Sequence, residues 1–369
     1  MIALLGHVKG HLQKLSVAAP YQHAVYETPD ALQRFWAAVE ETGVTTLDVP
    51  GDCLKLKDAV GFPLQAAKWR LETLSAAFTV GEERTLLPEL IRANAATLRK
   101  AKVVAISSIH ADDRKAVVAA LAECGKLVDV TVPCWKEAAQ LERCTAVTKL
   151  SILAANLILA GRADREIEAV AKLLAVPAVR NRVESLSLSF FKYGGITNQA
   201  VQLVYKAVRG MRKLTSLSVE FCAGFAGELK ATLKSLPQLE ELQLSDDDTA
   251  WKPKVLDDIT PAHAPSLTSL RLDPDLLSSA ARLQEAARAI QLRFAAAGRR
   301  LEVHVEKGVS HERDPTSSDE EDDDGDSDDQ SPDEASDDDD SSCLTMGEGG
   351  SSDEEDDDEV GEESPDEDD

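Results

Sequence analysis

One phrase of apolar and free positions recurs along this chain: apolar, two free, apolar, one free, apolar. Its clearest copies are Val183/Leu186/Leu188, Leu214/Leu217/Val219, Leu239/Leu242/Leu244 and Leu267/Leu270/Leu272. Upstream lie Leu12/Leu15/Val17, Val44/Leu47/Val49, Leu71/Leu74/Ala76 and Val147/Leu150/Ile152, with weaker copies at Leu98/Ala101/Val103 and Leu127/Val130/Val132. A last strand, Leu301 to Val305, closes the series. The copies begin at 12, 44, 71, 98, 127, 147, 183, 214, 239, 267 and about 298, with a mean step near 29 residues.

Alternate residues of a strand point the same way, so the second and third apolar positions of each phrase face one core and the residues between them face out. About 20 residues then separate one strand from the next, enough for a helix that returns the chain to a parallel neighbour. The punctuation fits helices in several intervals. Thr28-Pro29-Asp30 opens one that Gly43 ends, Asp112-Asp113 opens one that ends at Gly125, and Thr197 opens one that ends at Gly210. One such unit cannot bury its apolar face alone, and stacking makes the core continuous. The fold class expected is α/β, a solenoid of about 10–11 strand–helix repeats curved as a horseshoe with a parallel concave sheet. A doubly wound α/β domain also alternates strands and helices, but its strands read as near-continuous apolar runs. Here the outward positions are polar: Ser185, Ser187, Ser216, Ser218, Gln243 and Arg271.

At these phrases the sequence resembles the leucine-rich-repeat family, in its longer class with a helix on the convex side. Repeats of the ribonuclease-inhibitor type and of F-box leucine-rich-repeat proteins are similar. The resemblance covers roughly residues 1 to 306 and marks a divergent member. The Asn or Cys that normally follows the phrase is replaced at most copies, by Phe191, Asp247 and Asp275, while one copy carries Cys222. Terminal repeats meet water and are expected to be atypical. Leu276 through Ala297 reads as the longest helix and, with the last strand, as a C-terminal cap. Met1 to Gly10 resembles the helix half of a repeat. In the F-box family an F-box would lie upstream of that point, and none is found in these residues.

Charge divides the chain in two. From Asp314 onward there are 30 acidic residues and no Lys or Arg, which leaves 40 basic and 36 acidic residues before it, a net of +4. The expected domains are therefore residues 1–308, the repeats, and 309–369, an acidic tail. In the tail like charges repel and apolar residues are few, so burial cannot offset the entropy of ordering, and disorder is expected. Such a tail keeps the protein soluble, recruits basic proteins in a salt-sensitive way, or folds over basic residues of the body. Its sign excludes direct nucleic-acid binding by it. Ser317 and Ser318, and again Ser351 and Ser352, precede acidic runs and resemble acidophilic-kinase sites. Each phosphate there would add about −1.5 to −2 charges.

Aromatics are 4% of residues and hydrophobics 43%, so Leu, Val and Ala must fill the core. The six cysteines form no C-x-x-C pair, and Cys124, Cys134 and Cys144 stand ten apart, which is no metal spacing. No signal peptide and no apolar run of about 20 residues is present, so a reducing cytoplasmic or nuclear setting is expected, with no membrane partner. No nucleophile elbow, H-E-x-x-H, Walker loop or G-x-G-x-x-G occurs, and no catalytic residue, cofactor or metal is predicted. His110 with Asp112 and Asp113 reads as a helix start.

The chain is thus expected to bind macromolecules without catalysis. Strand alternation nominates a protein-binding surface of Lys100, Lys102, Lys149, Ser151, Ser185, Ser187, Ser216, Ser218, Glu220, Glu241, Gln243 and Arg271. Trp135, Phe190, Phe191 and Tyr193 are loop candidates, for each of which packing against the next repeat is favoured over partner contact. The leading reading is an interaction scaffold or adaptor. The resemblance leaves three others open: the substrate-recognition part of an F-box ubiquitin ligase, a regulator like the GTPase-activating protein of Ran, and a histone chaperone like the acidic leucine-rich nuclear phosphoproteins. The asparagine-bearing turn of the Ran regulator is not matched.

Overall fold

Period-two alternation with a fixed two-residue lead-in specifies not only strands but their register, because a slip of one residue would expose every leucine. The computed structural model describes residues 10, 12–17, 29–50, 70–78, 85–105, 111–153, 163–189, 198–220, 225–245, 253–273 and 280–305. All of these belong to the unit Met1–Ser310. They form one eleven-stranded sheet in strict sequence order, and every pair of neighbours is parallel. The strands are β1 (Lys14–Ser16), β2 (Thr46–Pro50), β3 (Thr73–Phe78), β4 (Lys100–Ala105), β5 (Asp129–Pro133), β6 (Lys149–Leu153), β7 (Ser185–Ser189), β8 (Ser216–Glu220), β9 (Glu241–Ser245), β10 (Ser269–Leu272) and β11 (Glu302–Val305). This is the architecture of a leucine-rich-repeat solenoid, as the phrase spacing predicts.

The register places the middle residue of each phrase in one unbroken row. Leu15, Leu47, Leu74, Ala101, Val130 and Leu150 continue into Leu186, Leu217, Leu242, Leu270 and Val303. From Leu47 to Leu270 every member of this row is buried. The weak copies at 98 and 127 therefore hold the same rung position as the clean ones, with Ala101 and Val130 filling where leucine stands in most others.

Helices cover this apolar face: α1 (Pro29–Thr42), α2 (Leu87–Ala93), α3 (Ala111–Ala122), α4 (Ala163–Ala175), α5 (Pro177–Arg180), α6 (Asn198–Val208), α7 (Phe225–Ser235), α8 (Pro253–Leu256) and α9 (Ala280–Ala296). Gly43 ends α1 at φ 70° and Gly298 follows α9 at φ 71°, the left-handed conformation that glycine adopts without a Cβ penalty. The short interval between β5 and β6 departs from the pattern. Its convex element is a 3-10 helix, Lys136–Arg143. Eight residues at about 2.0 Å each cover roughly 16 Å, close to the roughly 18 Å that twelve α-helical residues cover. A 20-residue step thus spans nearly the distance that α3 spans.

Two hydrogen-bond devices repeat. Ahead of each strand from β1 to β9, one carbonyl accepts two successive N–H groups at the entry of the next strand. Gln13, Thr45, Glu72, Arg99, Val128, Thr148, Glu184, Thr215 and Glu240 all do so, at 2.8–3.1 Å. At the end of the convex element, the first apolar residue of the phrase donates its N–H to a buried residue three positions earlier. The pairs are Leu127 to Cys124, Val147 to Cys144, Leu214 to Met211, Leu239 to Leu236 and Leu267 to Ala264, at 3.0–3.3 Å. The repeating unit is therefore longer at its start than the phrase alone suggests.

Candidate protein-binding surface

The opposite face of the sheet carries two complete outward rows, and no described helix covers it. The first runs Lys14, Thr46, Thr73, Lys100, Asp129, Lys149, Ser185, Ser216, Glu241, Ser269, Glu302. The second runs Ser16, Asp48, Ser75, Lys102, Thr131, Ser151, Ser187, Ser218, Gln243, Arg271, His304. No residue of either row is buried.

Both signs of charge occur along these rows, with Arg271 on β10 near Glu241 and Asp48 and Asp129 toward the basic strands. Lys100, Lys102 and Lys149 gather on β4 and β6, with Asp129 between them on β5. Glu241 lies on β9, and Glu220 extends the face on β8 beside Ser189 and Ser245. Lys100 Nζ sits 3.9 Å from Asp129 Oδ2, with the lysine side chain 62% exposed. Lys102 and Lys149 make no ion pair among the described residues. Between the two ends, Ser185, Ser187, Ser216 and Ser218 form a square of small hydroxyls on β7 and β8. Backbone can approach closely there, and hydroxyls both donate and accept.

The twelve strand residues nominated from the sequence all lie on this face, and all are half-buried or exposed. Alternation also places Asp129 and Thr131 there, from the weak copy at Leu127, and Asp129 matters because it offsets part of the lysine charge. Trp135 does not belong to the surface. It precedes the 3-10 helix, is 5% exposed and is part of the core. Its burial fits packing within the array rather than partner contact. Phe190, Phe191 and Tyr193 lie outside the described residues, as do Ser317, Ser318, Ser351, Ser352 and the whole acidic segment.

The convex side holds a polar cluster that sequence reading did not find. Arg114 on α3 donates from a terminal guanidinium nitrogen to Glu166 Oε1 on α4 at 2.8 Å. Its Nε faces Glu137 Oε2 of the 3-10 helix at 4.0 Å. The three side chains are 15%, 11% and 8% exposed. Burial raises the Glu166 pKa above the ordinary carboxylate range, opposed by the Arg114 cation. Burial likewise pushes the Cys124 thiol up to about 12 and the Cys144 thiol up to about 11, and Cys134 well above its usual value. These three are neutral thiols in the core, not nucleophiles. Asn94, also buried, accepts the Leu71 N–H at 2.8 Å and donates to the Leu90 carbonyl at 2.8 Å, tying one repeat to the next.

Among the described residues, no group of three or more His, Cys, Asp or Glu is placed to hold a metal ion. No described helix is long and apolar enough to cross a membrane.

Among solved structures, the chain is similar to the leucine-rich repeat-containing protein LegL7 from Legionella pneumophila, with a TM-score of 0.44 and 14% identity over 79% of this chain and 88% of that one. No protein-family model matches the chain. No curated protein matches it either.

Proposed function

We propose that this chain is a non-catalytic interaction scaffold that binds a protein partner on the uncovered face of its sheet. The observation that carries the reading is the pair of outward rows: eleven aligned positions each, uncovered by any described helix, with Lys102 and Lys149 in no ion pair among the described residues, lying over an apolar row buried from Leu47 to Leu270. A partner suited to this face places carboxylates over Lys102 and Lys149, lays small or backbone groups over the serine square, and turns cations toward Glu220 and Glu241. Large anchors are few on the face itself, so affinity rests on charge complementarity and on the partner's own side chains. The acidic segment 309–369 forms a second element of the proposal, an acidic arm that attracts basic proteins through salt-sensitive contacts.

The test is affinity purification with the full chain, its K102E/K149E variant, and a chain ending at residue 308. The expected result is one set of partners lost on charge reversal and kept on truncation, and a second set with the opposite behaviour. Identical partners on all three would overturn the reading. Skp1 and cullin, Ran, or histones among the captured proteins would direct it to the ubiquitin-ligase, GTPase-regulator or chaperone form.

A further inference from the structure

A second surface lies on the opposite, helical side and does not depend on the sheet face. Helices α4 and α6, on either side of the short α5, pack side by side and leave an open cavity of about 380 Å³ between their outer edges. Its floor is made of residues too small to close it: Ala171 and Ala175 on α4, Ala207 on α6 and Gly210 in the turn that follows. Leu203 forms one wall and is 39% exposed. Leucine at that exposure beside an apolar floor is a partly wetted hydrophobic surface.

The rim is basic. Lys172, Lys206 and Arg180 stand around the floor against the single carboxylate of Glu168. None of the four makes an ion pair among the described residues. Gly210 leaves room for Arg180: a Cβ there would come within 2.7 Å of Arg180 Cδ and 3.4 Å of its guanidinium nitrogen. The guanidinium stem therefore lies across the turn as part of the groove wall.

From Glu168 to Ala175 the groove follows two turns of α4, about 10 Å at 1.5 Å per residue. That length suits the anchors of an amphipathic helix, whose apolar residues recur at i, i+4 and i+7. The charge excess decides what flanks those anchors. Three unpaired cations against one carboxylate favour Asp and Glu on both sides of the apolar stripe, and oppose a basic helix. We propose that the α4–α6 groove is a docking site for a short acidic amphipathic helix of another protein.

The probe is a fluorescein-labelled helical peptide of about 15 residues, with leucines at i, i+4 and i+7 and glutamates flanking them. A scrambled peptide and one with lysine in place of every glutamate accompany it. Fluorescence anisotropy with the full chain at physiological salt reads binding. The acidic peptide is expected to bind in the micromolar range, and the scrambled and lysine peptides not to bind. K172E/K206E changes two exposed side chains, so folding is preserved. It should weaken the acidic peptide by at least about tenfold, or 1.4 kcal/mol, and admit the lysine peptide. K102E/K149E, on the sheet face, should leave the affinity unchanged. The proposal is overturned if no binding is seen, if the scrambled peptide binds equally well, if K172E/K206E has no effect, or if K102E/K149E abolishes binding to the same degree.

Discussion

Two stretches of the array stack their repeats by different means. From β7 to β10, neighbouring rungs meet through Leu186, Leu217, Leu242 and Leu270, all nearly or fully buried, and the ion pairs between convex elements, Arg209–Glu228 and Lys230–Asp258, keep side chains 25–53% exposed. Lys230 and Asp258, for example, approach at 3.6 Å with side chains 53% and 33% exposed. From β4 to β6 the rung residues are Ala101, Val130 and Leu150, and the convex elements are joined by the buried Arg114–Glu137–Glu166 cluster. Where the intervals are long and regular, apolar packing suffices. Where one interval shrinks to a 3-10 helix, a buried charged cluster bridges the convex elements beside buried apolar residues such as Leu121 and Leu141. A repeat array thus tolerates an irregular unit by changing the chemistry of the joint rather than the geometry of the sheet.

Mutations can break this contrast. Leu217→Ala removes a buried side chain between two leucine neighbours and should cost about 2–5 kcal/mol in urea denaturation. Arg114→Met should come next, at about 2–3 kcal/mol near neutral pH, because it leaves the buried Glu166 carboxylate without its hydrogen-bonded cation and Glu137 with only the exposed Lys136. Its pH dependence is the sharper measurement. Glu166 in the folded protein has a pKa above its unfolded value, so its contribution is full below the unfolded value and is lost as pH rises through the folded one. Removing Arg114 takes away a cation that lowers this pKa and widens that window. The deficit of the variant should therefore grow from about pH 5 to neutral pH; a pH-independent deficit would mean that the cluster is not electrostatic.

Asn94→Leu should cost about 1–2 kcal/mol, since the buried Leu71 N–H loses its acceptor. Lys230→Met should change stability by less than about 1 kcal/mol. Equal costs for Arg114→Met and Lys230→Met, measured by the same denaturation, would erase the distinction between the two stretches.

The sheet was legible because its signal is periodic and redundant. The phrase from Leu267 to Leu272 alone sets the alternation of β10, and its copies fix the rest. Helix ends were legible where a glycine marks them, as at Gly43 and Gly298. The binding face was readable for the same reason as the core, as its complement in the alternation. What escaped had no period. Arg114, Glu137 and Glu166 lie on three different elements, and a charge on a helix ordinarily meets water, so nothing local says that these three converge. Trp135 follows a strand in a position that suits either a loop anchor or a core filler, and only its burial in the folded array decides between them. The groove at Ala171 and Ala207 is invisible for the opposite reason: alanine on a helix signals nothing until its neighbour across the gap proves equally small.

The forked carbonyl bonds that run from Gln13 to Glu240 have a mechanical consequence. They link each rung only to its successor, so load applied at the two termini is carried in series through every joint. Stretched between a bead and a surface, such a chain gives way one joint after another. The first to yield is set by the weakest stacking chemistry rather than by distance from the point of pull. Extension traces would therefore show steps of about one repeat of chain length, turning the array into a ruler of its own local cohesion.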